Sequence, residues 1–174
     1  MIGVWLLSRD CRNCLKRMVS RPLLFLTVPF LLLDQVTKWL VLHNIGTGDV
    51  VTVIPNFFFL VQVHNTGAAF GMLRDNNYFF IGLSALAMAA MVFFARRGVF
   101  SDRWLAGAAG LLLAGILGNL ADRIAHGYVV DFLMFDLHVP LANPWPSFNV
   151  ADSCIFVAAG VFVIRSFFSG GEKT

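Results

Sequence analysis

The sequence carries little charge for its length. Only 13% of its 174 residues are Asp, Glu, Lys or Arg, whereas 58% are hydrophobic. Soluble domains contain about 25% charged and roughly 45–50% apolar residues. The sequence also has four apolar runs, each of the length that a bilayer-spanning helix requires, about 20 residues. It therefore predicts a polytopic membrane protein.

Cysteine is scarce, and familiar catalytic and metal-binding motifs are missing. The three cysteines give no disulfide framework, because Cys154 falls in a predicted span and Cys11-x-x-Cys14 has no second pair or nearby histidine. The sequence has no H-E-x-x-H motif for zinc and no G-x-S-x-G motif for a serine nucleophile. We expect no metal and no cofactor.

The basic residues do not form a patch interleaved with aromatic residues, so we expect no nucleic-acid partner despite the net charge of +3. They gather at the ends of the spans, five of them before the first span and three between the second and third. These are Arg9, Arg12, Lys16, Arg17 and Arg21, and then Arg96, Arg97 and Arg103. Because short cytoplasmic loops are rich in Lys and Arg, we expect both termini to be cytoplasmic and the two longer connections to lie outside.

The predicted domain organisation is simple. Residues 22–168 form a single membrane-embedded domain with spans at about 23–42, 78–95, 104–121 and 151–168. Residues 1–21 form a basic cytoplasmic leader, and the apolar run that follows is too long for a cleaved signal peptide. Residues 169–174 form a cytoplasmic tail. The fold class is an all-α polytopic membrane protein with four transmembrane helices.

The two longer connections contain residues that favour β-strands. Residues 50–54 and 57–63 are β-prone and flank a turn at Pro55-Asn56, and residues 128–137 form a third such segment. We expect them to pair into a small extracytoplasmic sheet. The third span carries a ridge of small residues that favours close helix packing. The ridge consists of Ala106, Gly110, Ala114 and Gly118.

Charged residues inside a bilayer are costly and usually face a bundle interior. Asp34 and Lys38 are four residues apart on one helix face, where an ion pair could be structural or functional. Asn119, Asp122 and Arg123 share a face of the third span, so we expect their polar groups to point to one interior spot. The alternative for Asp122 and Arg123 is an ion pair at the helix end, with the arginine reaching outward.

Two further acids lie near the predicted outer surface. Asp131 follows Val129 and Val130 in an apolar strand, where it needs a partner or a raised pKa. Asp152 stands three residues after Asn149, which is also the spacing of a helix-capping pair. The polar residues that accompany them are neutral amides and one arginine rather than nucleophiles, so the two acids form a candidate carboxylate dyad.

Two close carboxylates share a proton, so one can take a proton from water while the other donates to a carbonyl oxygen. This is the chemistry of aspartic proteases. The dipole of the fourth helix favours an anion at Asp152, so we assign Asp152 as the base and Asp131 as the acid. Because such a pair titrates as a unit, the assignment could be reversed.

Two other functions fit parts of the pattern. A small proton-coupled membrane carrier could use the acids and Lys38 as a relay, but the second span has no charged residue and the acids gather on the outer side. A non-catalytic scaffold would use the small-residue ridge, but it gives no reason for two acids surrounded by asparagines.

Five short blocks occur in order along the chain. They are Asp34-Gln35-x-Thr37-Lys38, Asn65-x-Gly67-Ala68-Ala69-Phe70, Gly118-Asn119-x-x-Asp122-Arg123, Val129-Val130-Asp131-Phe132 and Phe148-Asn149-x-Ala151-Asp152. With these blocks at the ends of four spans, residues 22–168 resemble the bacterial lipoprotein signal peptidase family, also called signal peptidase II.

The resemblance implies an intramembrane aspartyl endopeptidase with an extracytoplasmic β-cradle, in the bacterial cytoplasmic (inner) membrane. Its substrates would be prolipoproteins, cut just before a cysteine that carries diacylglycerol, and globomycin-type compounds would inhibit it. Asp131 and Asp152 would be catalytic, in a site at the extracytoplasmic face. A monomer in contact with membrane lipid suffices. The supporting and substrate-binding residues would be Asp34, Lys38, Asn65, Gly67, Asn119, Asp122, Arg123, Asn149 and Ala151.

Overall fold

A computed structural model describes residues 21–67, 73–139 and 145–168. Nearly all of the predicted leader, with Cys11 and Cys14, lies outside the described residues. So do the tail and the Ala68-Ala69-Phe70 part of one motif.

Four long helices correspond to the four predicted spans. They are α1 (Arg21–Asn44), α2 (Asn77–Arg96), α3 (Arg103–His126) and α4 (Val150–Phe168), with a short 3-10 helix at Val99–Ser101 between α2 and α3. Each of the four is long and apolar enough to cross a membrane. The third helix extends past the predicted end at residue 121, so Asp122 and Arg123 are part of its last turns.

Local sequence explains where α3 begins and ends. The Asp102 carboxylate accepts hydrogen bonds from the backbone N–H groups of Trp104 and Leu105, which caps the start of the helix. Gly127 ends it with φ 83°, a left-handed conformation that glycine adopts without strain. This turn leads the chain directly into the strand that carries Asp131.

The three predicted β-prone segments form one antiparallel sheet. Its strands are β1 (Val50–Ile54), β2 (Phe58–Asn65) and β3 (Val129–Phe135), in the order β1-β2-β3. The second strand reaches two residues further than predicted, to Asn65, and β3 is shorter than the predicted segment 128–137. The register pairs Val63 with Asp131 and Asn65 with Val129, which brings the end of β2 beside the start of β3.

The ridge of small residues lets α3 pack closely against its neighbours, and all four members are buried. A Cβ atom on Gly110 would come within 2.8 Å of the Leu23 carbonyl oxygen, and one on Gly118 within 2.5 Å of Asp34 Oδ2. The helix α2 is peripheral by contrast, because Phe80 is its only buried residue. The bundle is therefore built around α1, α3 and α4.

The sheet is anchored to the bundle by a small apolar cluster. Val41 near the end of α1 packs with Val130 and Phe132 of β3, and all three are buried. Phe148, just before α4, exchanges backbone hydrogen bonds with Leu133. These contacts place the start of α4 alongside β3.

Candidate active site

Asp131 is buried and held by two amide groups. Asn65 Nδ2 donates to its Oδ2 at 2.8 Å, and Asn149 Nδ2 donates to its Oδ1 at 2.8 Å. Burial raises the pKa of Asp131 to about 7, and the charge of Asp152 adds to this rise. The bonds from Asn65 and Asn149 and the charge of Lys38 oppose it. The sequence predicts that Asp131 needs a partner or a raised pKa, and in the structure it has both.

Asp152 lies in the first turn of α4, where it completes a capping pair with Asn149. The Asn149 N–H donates to Asp152 Oδ2 at 3.2 Å, and the Asp152 N–H donates to Asn149 Oδ1 at 2.9 Å. The other carboxylate oxygen, Oδ1, accepts a 2.7 Å bond from Asn119 Nδ2. Asp152 is a cap as the spacing predicts, and it also faces the cavity described below.

Asn149 connects the two acids. It is fully buried, with 0% of its surface exposed. Its Nδ2 lies 2.8 Å from Asp131 Oδ1, 3.2 Å from Asn119 Oδ1 and 3.3 Å from the Val130 carbonyl. Its backbone N–H and its side-chain oxygen bind Asp152. A single neutral residue therefore contacts both carboxyl groups, that of Asp131 through its side chain and that of Asp152 through its backbone N–H.

A buried ion cluster lies beside the two acids. Lys38 Nζ is 2.9 Å from Asp34 Oδ2, 2.9 Å from Asp122 Oδ2 and 3.0 Å from Asn119 Oδ1. No side chain of the three ions is more than 5% exposed. The ion pair expected from the spacing of Asp34 and Lys38 is confirmed. Asp122 pairs with this lysine across the bundle, so the alternative of a helix-end pair with Arg123 is wrong.

The ion cluster also holds the backbone next to each acid. Asp34 Oδ1 accepts the N–H of Ala151 at 2.8 Å, one residue before Asp152. Asp122 Oδ2 accepts the N–H of Val130 at 3.0 Å, one residue before Asp131. Charge-assisted bonds of this kind are stronger than neutral ones. The cluster therefore fixes the positions from which both acids project.

Arg123 points away from the ion cluster. Its Nη2 donates to the Gly67 carbonyl at 3.1 Å, and its guanidinium lies 4.4 Å from the centre of the Phe80 ring. Gly67 is itself held by Asn65, whose Oδ1 accepts the glycine N–H at 2.9 Å. The expectation that Asn119, Asp122 and Arg123 converge on one spot is wrong. Two of them meet Lys38, whereas the arginine reaches the end of β2.

A cavity of about 650 Å³ joins the two acids to an exposed apolar side of α4. One part is polar and is lined by Asp131, Asp152, Asn65, Asn119 and Arg123. The other part is apolar and includes Ile155, Phe156 and Val157. Within the described ranges, no group of three His, Cys, Asp or Glu residues is arranged to hold a metal ion. The site can accept a peptide backbone on one wall and an apolar chain on the other.

Sequence reasoning did not assign a role to three residues of the site. Gln35 Nε2 donates to Asp34 Oδ2 at 3.1 Å and to Asp122 Oδ1 at 3.3 Å, so it belongs to the ion cluster. The position of this amide next to the intramembrane Asp34 in the sequence was a signal from which its role in the ion cluster could have been predicted. Asn77 and Phe80 contact Arg123. The sequence has 18 phenylalanines, and none of its features distinguishes Phe80 from the others.

Comparison with known proteins identifies the family. The sequence model of the family described as signal peptidase (SPase) II matches residues 26–168. The chain is 43% identical over 143 residues to a lipoprotein signal peptidase of Symbiobacterium thermophilum, covering 80% of this chain and 90% of that protein. It is 36% identical over 141 residues to a lipoprotein signal peptidase of Bacillus subtilis, covering 80% and 89%.

The fold is also known from solved structures. One, described as a bacterial membrane enzyme determined by the in meso method, superposes with a TM-score of 0.82 at 29% identity. The match covers 90% of this chain and 93% of that one. A second structure of the same description gives a TM-score of 0.76 at 29% identity, covering 90% and 96%. The protein is a multi-pass membrane enzyme. The chain belongs to the signal peptidase II family and is an aspartic-type peptidase.

Proposed function

We propose that this protein removes signal peptides from prolipoproteins, cutting before a diacylglyceryl-modified cysteine with Asp131 and Asp152 as the catalytic pair. One observation carries the proposal. Two carboxyl groups line one cavity, and their partners there are asparagines rather than cations. The relatives named as lipoprotein signal peptidases support the same substrate class.

The two acids have different surroundings, which divides their roles. Because its pKa is raised to about 7, Asp131 retains a proton over much of the neutral range and serves as the acid. Asp152 accepts hydrogen bonds on both carboxylate oxygens, from Asn119 and from the backbone of Asn149, at the positive end of the α4 helix dipole. Asp152 therefore serves as the base.

In the first step, the Asp152 carboxylate takes a proton from a water molecule, and the water oxygen attacks the scissile carbonyl carbon. Asp131 donates its proton to the carbonyl oxygen, which gives a tetrahedral gem-diol. In the second step, Asp131 takes back a hydroxyl proton as the C=O bond re-forms, the C–N bond breaks, and the proton on Asp152 passes to the leaving amine. Both acids return to their starting forms.

The cavity offers separate places for the two parts of such a substrate. Arg123 Nη1 is buried and has no hydrogen-bond partner among the described residues, and the guanidinium lines the cavity. A buried donor of this kind is suited to a substrate carbonyl oxygen. The apolar wall of Ile155, Phe156 and Val157 suits a lipid chain or an apolar signal peptide. Asn65 and Gly67 form the side of the site next to the arginine.

We assign the remaining predicted residues to positioning. Asp34, Lys38 and Asp122 form the ion cluster that holds the N–H groups of Ala151 and Val130. Asn119 contacts both Lys38 and Asp152, and so links that cluster to the base. These residues set the geometry of the acids and do not themselves transfer protons.

The distribution of basic residues supports a topology with both termini in the cytoplasm of the bacterial inner membrane. The sheet and the two acids would then lie at the extracytoplasmic face. Both acids come from one chain, so a monomer is sufficient, and membrane lipid surrounds it. Globomycin-type inhibitors would compete with the substrate for the cavity. Family membership favours this function over the carrier and scaffold alternatives.

The test is cleavage of a diacylglyceryl-modified prolipoprotein by purified protein in one detergent. We expect Asp131→Asn and Asp152→Asn each to lower kcat by about a thousandfold, which is within the usual contribution of acid–base catalysis. The matched control is Asp136→Asn. Asp136 lies just after β3 and pairs with the exposed His138, away from the cavity. The control should cleave like the wild type.

Folding of every variant is checked by thermal unfolding in the same detergent. Wild-type cleavage by either folded dyad variant would show that the proposed mechanism is wrong. A wild-type protein that fails to cut the lipid-modified substrate but cuts its unmodified form would overturn the proposed substrate class.

A further inference from the structure

Two side chains in the first turn of α2 contact Arg123 of α3. Asn77 Nδ2 donates to the Arg123 carbonyl oxygen at 3.0 Å. Three residues later and on the same helix face, the Phe80 ring lies 4.4 Å from the Arg123 guanidinium carbon. Phe80 is 8% exposed and is the only buried residue of α2. This helix is therefore joined to α3 at the arginine.

The Arg123 guanidinium is buried without a full set of hydrogen-bond partners among the described residues. Arg123 is 9% exposed, its Nη2 binds the Gly67 carbonyl, and its Nη1 has no partner in the described part of the chain. An arginine near a helix end normally extends toward water, where all of its N–H groups are hydrated. The Phe80 ring lies against the guanidinium, and its π face attracts the cation. The ring therefore favours a conformation that keeps the guanidinium beside the cavity rather than extended toward water.

We propose that Phe80, seated by Asn77, is a positioning residue that aims the Arg123 guanidinium at the substrate. The inference deepens the proposed function and rests on it, because it takes Arg123 as the donor to a substrate carbonyl. Phe80 does not line the cavity and acts only through the arginine. Loss of the ring should therefore weaken substrate binding and leave the proton transfers of the two acids unchanged.

The experiment compares KM and kcat for cleavage of a diacylglyceryl-modified prolipoprotein by Phe80→Leu, Phe80→Met and Phe80→Tyr. The first two keep an apolar side chain without a π face, and we expect each to raise KM by about five- to thirtyfold with little change in kcat. Phe80→Tyr keeps the ring and should retain a KM close to that of the wild type. Two aliphatic variants are used so that a folding defect in one does not decide the result.

The matched control is Phe93→Leu. Phe93 belongs to the same helix, is 52% exposed and lies under another arginine, with Arg97 at 4.9 Å from its ring centre. It does not line the cavity, so the control should leave KM unchanged. If Phe93→Leu raised KM as much as Phe80→Leu, the effect would come from general loosening of α2, and the inference would be overturned.

A double-mutant cycle isolates the route through the arginine. In an Arg123→Gln background, Phe80→Leu should change kcat/KM by less than about twofold, because the group that it positions is gone. An undiminished effect in that background, or a wild-type KM in both folded aliphatic variants, would overturn the inference. The proposed function is judged separately by Asp131→Asn, since its loss of cleavage does not depend on Phe80.

Discussion

The site contains two pairs of acids that are bridged in different ways. Asp34 and Asp122 lie on either side of the Lys38 ammonium, at 2.9 Å each. Asp131 and Asp152 are instead connected through Asn149, a neutral residue whose side-chain amide binds Asp131 and whose backbone N–H binds Asp152. The first pair has a compensating cation between its members, and the second pair has none.

This difference determines which pair can move a proton. The Lys38 ammonium compensates both carboxylates of the first pair, and neither Asp34 nor Asp122 lines the cavity. An amide bridge adds no charge, and burial together with the charge of Asp152 raises the pKa of Asp131 to about 7. Only the pair bridged by Asn149 lines the cavity, where the proposed acid–base catalysis would take place.

The two pairs are not independent, because the fixed pair positions the other. The Asp34 and Asp122 carboxylates hold the N–H groups of Ala151 and Val130, the residues that precede Asp152 and Asp131. These bonds tie α1 and α3 to the start of α4 and to β3. The ion cluster thus supplies rigidity where the acids need a defined separation.

The strongest test of this comparison is removal of the bridging cation. We expect Lys38→Met to lower the free energy of unfolding by about 3–5 kcal/mol, because it leaves two buried carboxylates without their shared partner. Arg165→Met is the matched control. Arg165 pairs with Asp102 at 3.4 Å, with both side chains at least one-third exposed, so its loss should cost about 1 kcal/mol or less.

Thermal and denaturant unfolding of both variants in one detergent measure these effects. Asp131→Asn completes the comparison and should cost less than Lys38→Met, since it removes a buried acid but sets an NH2 group against one of the two amide donors that bind the acid. Equal losses in Lys38→Met and Arg165→Met would mean that burial of the cluster does not distinguish it from an ordinary surface ion pair.

A smaller effect is expected from crowding the ion cluster. In Gly118→Ala the new Cβ would come within 2.5 Å of Asp34 Oδ2 and 3.2 Å of the Ala151 Cβ. We expect a loss of about 1–3 kcal/mol in the free energy of unfolding, the usual cost of overpacking. Gly107→Ala is the control on the same helix, because its Cβ would meet only Leu26 Cδ1 at 3.4 Å. Unfolding of Gly118→Ala at the same temperature as Gly107→Ala would contradict the close packing of α3 on α1.

Much of the fold follows from local sequence pattern. Four apolar runs of bilayer length predict the four helices, and the spacing of Asp34 and Lys38 predicts their ion pair. The capping pair of Asn149 and Asp152 is likewise set by residues three apart in the chain. In each case the relevant neighbours lie within one or two turns of the same element.

Contacts between elements could not be predicted in the same way. Spacing places Asp122 and Arg123 together on α3, but the rotation of α3 against α1 decides that Asp122 meets Lys38 and Arg123 meets Gly67. The role of Asn149 as the bridge between the two acids depends on how α4 docks beside β3. Such contacts are long-range products of packing, and one sequence gives no local signal for them.

The pH dependence of the free energy of unfolding tests the pair formed by Asp131 and Asp152. The pKa of Asp131 is raised from 3.8 to about 7, so between these values the folded protein holds a proton that the unfolded chain has released. Stability from this group is therefore present at low pH and is lost as pH rises toward 7. From about pH 5 to about pH 6, the wild type should lose about 1.4 kcal/mol relative to Asp131→Asn.

The measurement is the free energy of unfolding of both proteins across this range in one detergent. Above about pH 8 the difference between the wild type and Asp131→Asn should become constant, because both states of the wild type are then ionised. A difference that does not change with pH would mean that Asp131 ionises in the folded protein as easily as in the unfolded chain. The amide bridge would then confer no property that the lysine bridge lacks, and the contrast between the two pairs of acids would fail.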